Sequence, residues 1–495
     1  MSKIGEKLRR MMRGNAADSL LLTFVKIVSA ALGLATTKLL SVKFSLEEYG
    51  TYSQAMLVVS TVTSFTILGL TDATNYFYNA SDDDGTKEQY VSTVFGIQYA
   101  VGLVCAILIC ACNIPIAAGF KNDELRRILF FAAWMPVLNN LIPMLQVLFI
   151  SIGKAKTIAV RNFIVSAARL AFVAIACYAT GDIRTIFILI LVLDVLQVVY
   201  FQISFSRNRF PIRMRNFRRE LIGPILRFCL PMAVFVFTNA LSRDIDKYVV
   251  SAFTDTETLG IYTNAAKVLP FDMLTASFLT VLVPVITRQV RKESYGEAQQ
   301  TLRAYLRIGY LMTWVMVAGA IVNAKEMMLF FYDEKYLPGL GVFIVYLFVD
   351  MMRFANTSLV LSAKGKTGTL MICSLIALGA NAVLNVLAFR AFGLIGPAIT
   401  TLIVTVGLMA AMLIISAREI GSSFRALFNW KEIVLEAAEL AVVGALAYGL
   451  KLLLYRVFTS YLPVLILTYA FFGGVMLLLS GRRMLTCLKD INRVK

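Results

Sequence analysis

The apolar residues of this 495-residue chain fall in separated runs of 18 or more, joined by short polar segments, and few folds tolerate that pattern. Wound as a helix, such a run crosses a hydrocarbon core of roughly 30 Å. In lipid a segment must satisfy its own backbone N–H and C=O groups, so runs of this length predict helices rather than an open sheet. Composition agrees, because charged residues make up only 16% of the chain and hydrophobic ones 59%, against roughly 25% charged in a soluble domain. The expectation is an all-α polytopic membrane protein of about 14 transmembrane helices.

Spans are placed near residues 19–41, 51–78, 91–118, 128–151, 158–180, 185–205, 229–252, 260–286, 304–324, 339–362, 368–389, 394–416, 433–455 and 461–480. The first follows a basic stretch, Lys3 to Arg13, and is too long for a signal-peptide core of about 7–15 residues. Positive loops stay cytoplasmic. With the N-terminus inside, most of the loop Lys and Arg fall on the inner side, so both termini are predicted to be cytoplasmic in a bacterial inner membrane. The loop with Asp82, Asp83 and Asp84 disagrees, but acidic residues weigh little in this rule.

The formal charge of +18 does not indicate a nucleic-acid partner, because the cations sit in short loops between spans and not on a soluble face. The chain has no His, which removes the commonest metal ligand and general base. Its seven Cys show neither zinc spacing nor a disulfide framework. Gly365-Lys366-Thr367 has Val360 where a phosphate loop needs glycine, and no loop exceeds about twenty residues, so no folded catalytic domain is expected. The reading is a protein that is not an enzyme and needs no cofactor beyond a coupling ion of unspecified identity.

An internal repeat sets the organisation. The segment SLEEYGTYSQA from Ser45 to Ala55 aligns with DTETLGIYTNA from Asp255 to Ala265, an offset of 210, and Gly153-Lys154 aligns with Gly365-Lys366, an offset of 212. Six spans separate the copies, an even number, so the two six-helix repeats are predicted to run parallel, a common transporter layout. The expected divisions are a first bundle over 1–206, a basic connector over 207–220, a second bundle over 221–420, and two extra helices with a basic tail over 421–495.

Charges within spans cost roughly 2.5–3.5 kcal/mol each, so they tend to face a bundle interior or a wet cavity. Arg243, Asp246 and Lys247 are spaced i, i+3, i+4 on one helix face, an arrangement suited to an anionic ligand or to a self-neutralising cluster. Lys26 has no acidic neighbour within a turn, which favours a ligand role. Arg161 lies close enough to a span end to snorkel, Asp350 and Arg353 are spaced as a structural pair, and Glu436 and Glu439 are expected at the interface. The other charges within spans include Lys38, Asp72, Arg169, Asp194, Asp244, Lys267 and Asp272.

Three stretches, Arg243 to Lys247 leading into Leu259 to Lys267, Phe330 to Tyr336, and Asn381 to Asn385 with Gly393 to Thr400, carry a likeness. They resemble the polysaccharide-biosynthesis flippases (Wzx-like) of the multidrug/oligosaccharidyl-lipid/polysaccharide exporter superfamily. The resemblance implies a lumen between two six-helix bundles whose cations meet the pyrophosphate of an undecaprenyl-linked sugar. It puts Lys26, Asp246, Lys247 and Lys267 on the matching helices. Arg243, Arg161 and Arg353 complete the candidate substrate-binding set. The expected partners are the lipid-linked oligosaccharide, membrane lipids and polysaccharide-assembly proteins. Pro397 departs from the small residue usual after the second glycine, and fourteen spans also resemble the lipid II flippase branch. Efflux of cationic drugs fits poorly with so many cations, and a membrane-embedded glycosyltransferase lacks its usual long outer loop.

Overall fold

A computed structural model describes residues 15–81, 83–269, 271, 282–283 and 285–493, and among these every regular element is a helix. Two units divide the chain, Met1–Phe237 with Asp255–Gly260, and Thr238–Thr254 with Ile261–Lys495. The first holds α1 (Asn15–Lys43), α2 (Leu46–Thr66), α3 (Leu70–Ala80), α4 (Asp84–Ala111), α5 (Asn113–Gly119), α6 (Asp123–Ala132), α7 (Met135–Ser151), α8 (Ala155–Ile175), α9 (Ile183–Asn208) and the start of α10 (Ile222–Phe253). The second holds the end of α10 and the second half of α11 (Thr256–Ala265), whose first half belongs to the first unit, then α12 (Tyr295–Val322), α13 (Ala324–Phe331), α14 (Leu340–Met352), α15 (Leu359–Ala363), α16 (Thr367–Phe392), α17 (Ile395–Glu419), α18 (Trp430–Leu454) and α19 (Tyr461–Arg493).

Eleven described segments are long and apolar enough to cross a membrane, and twelve if the bent pair Arg219–Leu230 and Ala233–Phe253 is one span. The chain is a multi-pass membrane protein. Of the fourteen expected spans, the first coincides with α1, many of whose side chains lie outside the described residues, and residues 270, 272–281 and 284 of the eighth also lie outside them.

The two repeat anchors have a local physical cause. Ser45 caps α2 reciprocally, its hydroxyl accepting from the Glu48 amide while the Glu48 carboxylate accepts from the Ser45 amide. At the equivalent place the Asp255 carboxylate accepts from the Thr258 amide at 2.7 Å. Both motifs therefore satisfy amides that a helix start leaves orphaned. Five residues on, the matched glycines allow close backbone approach. A Cβ on Gly50 would lie 2.0 Å from the Thr256 carbonyl oxygen, and one on Gly260 would lie 3.1 Å from the Gly50 Cα. The second anchor is a helix stop. Gly153 and Gly365 have φ of +76° and +68°. The following lysine amides, Lys154 and Lys366, reach back to the Phe149 and Leu361 carbonyls at 2.9 Å. That is a Schellman ending, which glycine adopts without strain. Gly365-Lys366-Thr367 is thus a helix terminus, and both Lys364 and Lys366 pair with Glu419.

Several expected spans are broken. The second is interrupted at Leu68 and Gly69, both with positive φ, and α3 starts after them. The tenth, expected over 339–362, stops at Met352, with α15 beginning only at Leu359. The freed backbone groups find side chains: the Trp314 indole donates to the Met351 carbonyl, and the Tyr305 hydroxyl accepts from the Asn356 amide, each at 2.9 Å. Broken backbone survives in a span when it is buried and paired in this way.

Ion pairs at both ends fasten α18 to α12 and α13, and a further pair ties α19 to α18. At one end Lys451 lies 3.1 Å from Glu326, whose carboxylate also accepts from the Tyr455 hydroxyl at 2.7 Å. At the other, Arg307 pairs with Glu432 at 2.8 Å and Arg483 with Glu436 at 3.3 Å. Glu436, expected at the interface, has a side chain buried among these helices that also accepts from the Ser480 hydroxyl. Arg483 bonds Glu439 as well. A charge buried beside hydrocarbon persists only when paired and hydrogen-bonded, and these glutamates meet that condition.

Candidate functional site

Besides the ion pairs of the C-terminal helices, each unit carries a group of charged side chains within its expected spans. In the first unit, Arg161 and Arg169 lie eight residues apart on α8, and Asp194 and Gln197 lie three apart on α9; both spacings keep partners on one helix face. Asp194 is buried. Its Oδ1 accepts from Gln197 at 2.9 Å and lies 3.5 Å from Arg169. Arg161 donates to Gln197 and to Asn162, and its guanidinium sits 5.2 Å from the Phe201 ring centre. The group borders a cavity of about 240 Å³ that Asn139 and Ser166 also line. Arg161 therefore turns inward to polar partners, where the sequence also allowed simple snorkelling.

In the second unit, Asp246 on α10 is fully buried. Its Oδ2 accepts from the Tyr262 hydroxyl at 2.8 Å and from the Tyr346 hydroxyl, and its Oδ1 lies 3.7 Å from the Lys247 ammonium. Lys247 also contacts Asp244 at 2.9 Å and donates to the Arg243 carbonyl. Asn381 on α16 donates to the Ser242 carbonyl at 3.0 Å and Asn239 to Ser374 at 3.2 Å, so two polar ties fix this stretch of α10 against α16. Asp350 accepts from the Leu269 amide at 3.0 Å.

The seven candidates are not all brought together. Asp246 and Lys247 form one network, Arg243 is exposed, and Arg353 is half-buried at the α14 break, close enough to act electrostatically on Lys247 and Tyr346. Lys267 is exposed just beyond α11, and Arg161 belongs to the first-unit group. Lys26 falls in α1, and its side chain lies outside the described residues. Tyr262, Tyr346 and Gln197 were missed. Tyr262 was signalled by the repeat, where it matches Tyr52, and Gln197 by its i+3 spacing from Asp194; nothing local pointed to Tyr346.

Among the described residues no cluster of three or more His, Cys, Asp or Glu side chains is arranged to hold a metal. Outside the spans, the Asp83 carboxyl is held below the usual carboxylate range by the Thr86 amide and hydroxyl, and that of Asp255 by Thr258. Both are helix caps, so this aspartate loop is a helix start.

The fold is shared with known transporters. It is similar to the lipid II flippase MurJ in an inward closed conformation, at 16% identity and a TM-score of 0.70, covering 92% of this chain and 99% of that one. An inward-facing multidrug resistance MATE family transporter of the MOP superfamily matches at 13% identity and a TM-score of 0.63, over 81% of this chain and 98% of that one. A MOP superfamily transporter from Pyrococcus furiosus matches at 15% identity and 0.60, over 81% and 94%. No curated protein shows significant sequence similarity to the chain. Residues 39–340, more than half the chain, match the family model described as polysaccharide biosynthesis protein. With the helical fold and the paired charges within spans already in place, the chain belongs to that polysaccharide biosynthesis protein family.

Proposed function

We propose that this protein flips a polyprenyl-pyrophosphate-linked oligosaccharide from the cytoplasmic to the outer leaflet of a bacterial inner membrane, by alternating access, in surface polysaccharide biosynthesis. The observation that carries the reading is the pairing of that family membership with cations held at span depth in both units, Arg161 and Arg169 in one and Lys247 in the other. A pyrophosphate carries at least two negative charges, which low-dielectric surroundings screen weakly, so the half-buried Arg161 and Lys247 would meet it at little reorganisation cost. Direct partners follow from the same chemistry: the lipid-linked sugar and the surrounding lipids. Deleting the gene tests the reading. Lipid-linked oligosaccharide should accumulate in the inner leaflet, and normal delivery to the outer leaflet would sink the proposal.

A second reading is transport of the peptidoglycan precursor, favoured by the similarity of the fold to that of the lipid II flippase MurJ. Both cargoes are pyrophosphate-linked. The lipid that accumulates on depletion separates them.

A further inference from the structure

Beside the polar cavity of the first unit, a furrow of about 630 Å³ runs between α8 and α9. Its walls are apolar and outward-facing: Val160, Ile164, Leu196 and Tyr200 are all exposed. The α8 span is also the least buried of the described spans, with 11% of its apolar stretch buried against 22% or more in the others. Arg161, Val165 and Gln197 line both the furrow and the cavity of about 240 Å³, so an apolar trough and a polar chamber share one wall. Lys156 adds a second cation to the furrow, and no acidic residue lines it.

The chamber has an unusual hydrogen-bonding inventory. Asp194 is 1% exposed, yet its Oδ2 has no hydrogen-bond partner among the described residues, and neither does the buried Nε of Arg161. A buried acceptor and a buried donor left over in one small space are costly unless something supplies the complement. Neighbouring hydroxyls of a sugar ring both donate and accept. Asn139, Ser166 and Gln197 add amide and hydroxyl groups around the same space, which has room for about one ring. Charge complementarity acts at the shared wall, where Lys156 and Arg161 border the furrow and only Asp194 opposes Arg169 within.

We infer that the α8–α9 furrow and the adjoining chamber form one amphipathic site for a polyprenyl-pyrophosphate sugar, with the isoprenoid chain in the furrow, the pyrophosphate at Lys156 and Arg161, and the first sugar ring bonded to Asp194 Oδ2. The inference rests on the flippase reading and adds to it where this cargo is held in the first unit. A bilayer phospholipid shares the apolar chain and the phosphate but brings no sugar ring to the chamber.

The test uses full-length protein in nanodiscs and three probes: farnesyl pyrophosphate linked to N-acetylglucosamine, farnesyl pyrophosphate alone, and dioleoylphosphatidylglycerol. Asp194→Asn keeps the volume and leaves an amide oxygen for Gln197. It should weaken the sugar-bearing probe about tenfold and leave farnesyl pyrophosphate unchanged. Leu196→Trp, at an exposed position that tolerates bulk, should weaken both farnesyl probes about tenfold. Equal losses for the two farnesyl probes in Asp194→Asn would overturn the sugar assignment, and unchanged binding in Leu196→Trp would overturn the furrow. Phosphatidylglycerol binding as tightly as the sugar-bearing probe would likewise refute the inference in favour of a resident phospholipid. Delivery of lipid-linked sugar in cells keeps the two proposals apart. If the parent protein delivers it and both variants do so equally well, the site is wrong and the flippase reading stands; if deletion itself changes nothing, the flippase reading is wrong.

Discussion

Replacing Asp246 with alanine tests how the second-unit network is held together. In the parent protein this buried carboxylate takes the Tyr262 and Tyr346 hydroxyls on one oxygen and faces Lys247 at 3.7 Å with the other. Truncation leaves two buried phenol hydroxyls without their acceptor, at about 1–3 kcal/mol each. Lys247 loses its second carboxylate but keeps Asp244 at 2.9 Å, so its loss is small. The sum is about 2–6 kcal/mol, a large share of the 5–15 kcal/mol that holds a typical native state. Asp246→Ala should therefore cut membrane abundance severalfold and lower the thermal midpoint in detergent. Asp246→Asn, which retains an acceptor oxygen, should lose only about 1–2 kcal/mol as charged hydrogen bonds become neutral ones. The decisive variant is Asp246→Ala with Tyr262→Phe and Tyr346→Phe. Removing the orphaned hydroxyls should restore part of the stability, because the cost lies in unsatisfied groups. A triple variant less stable than Asp246→Ala alone would refute this accounting.

Gly50→Ala should be severely destabilising, since its Cβ would sit 2.0 Å from the Thr256 carbonyl oxygen, whereas Gly153→Ala, in open space at φ +76°, should lose only about 1–2 kcal/mol; thermal unfolding of the two variants ranks them. Lys451→Met strands the Glu326 carboxylate and should cost about 3–5 kcal/mol, with Lys451→Met plus Glu326→Gln recovering most of it, a difference that a double-mutant cycle on detergent stability measures. Asp255, a lightly buried helix cap, should lose about 0.5–2 kcal/mol on change to alanine. Because its folded carboxyl sits below the ordinary range, its charged contribution is present above about pH 4 and fades as pH falls through the lowered folded value, a dependence that Asp255→Asn should abolish in acid-unfolding curves.

The long apolar runs determined the helices, because lipid offers backbone groups no alternative partner. The repeat anchors were legible for a similar reason: helix caps and left-handed glycines such as Ser45, Asp255, Gly153 and Gly365 are decided by a few neighbouring atoms, so their letters recur. The candidate site was legible in part. Asp246 and Lys247 stood out as charges in a span, yet spacing along α10 placed Arg243 on their face, while packing buries Asp246 and leaves Arg243 exposed. What decides that difference comes from far along the chain, as Tyr346 lies a hundred residues from Asp246. The burial of Glu436 against Arg483 and Ser480, the break after Met352 and the shared wall at Arg161 likewise depend on which helices become neighbours. Sequence by itself determined that the elements are helices and where the capped ones begin and end, because those energetics are local; tertiary structure alone decided which spans break, which charges are paired and which face a cavity, because burial and partner geometry belong to side chains that meet only after the helices have packed.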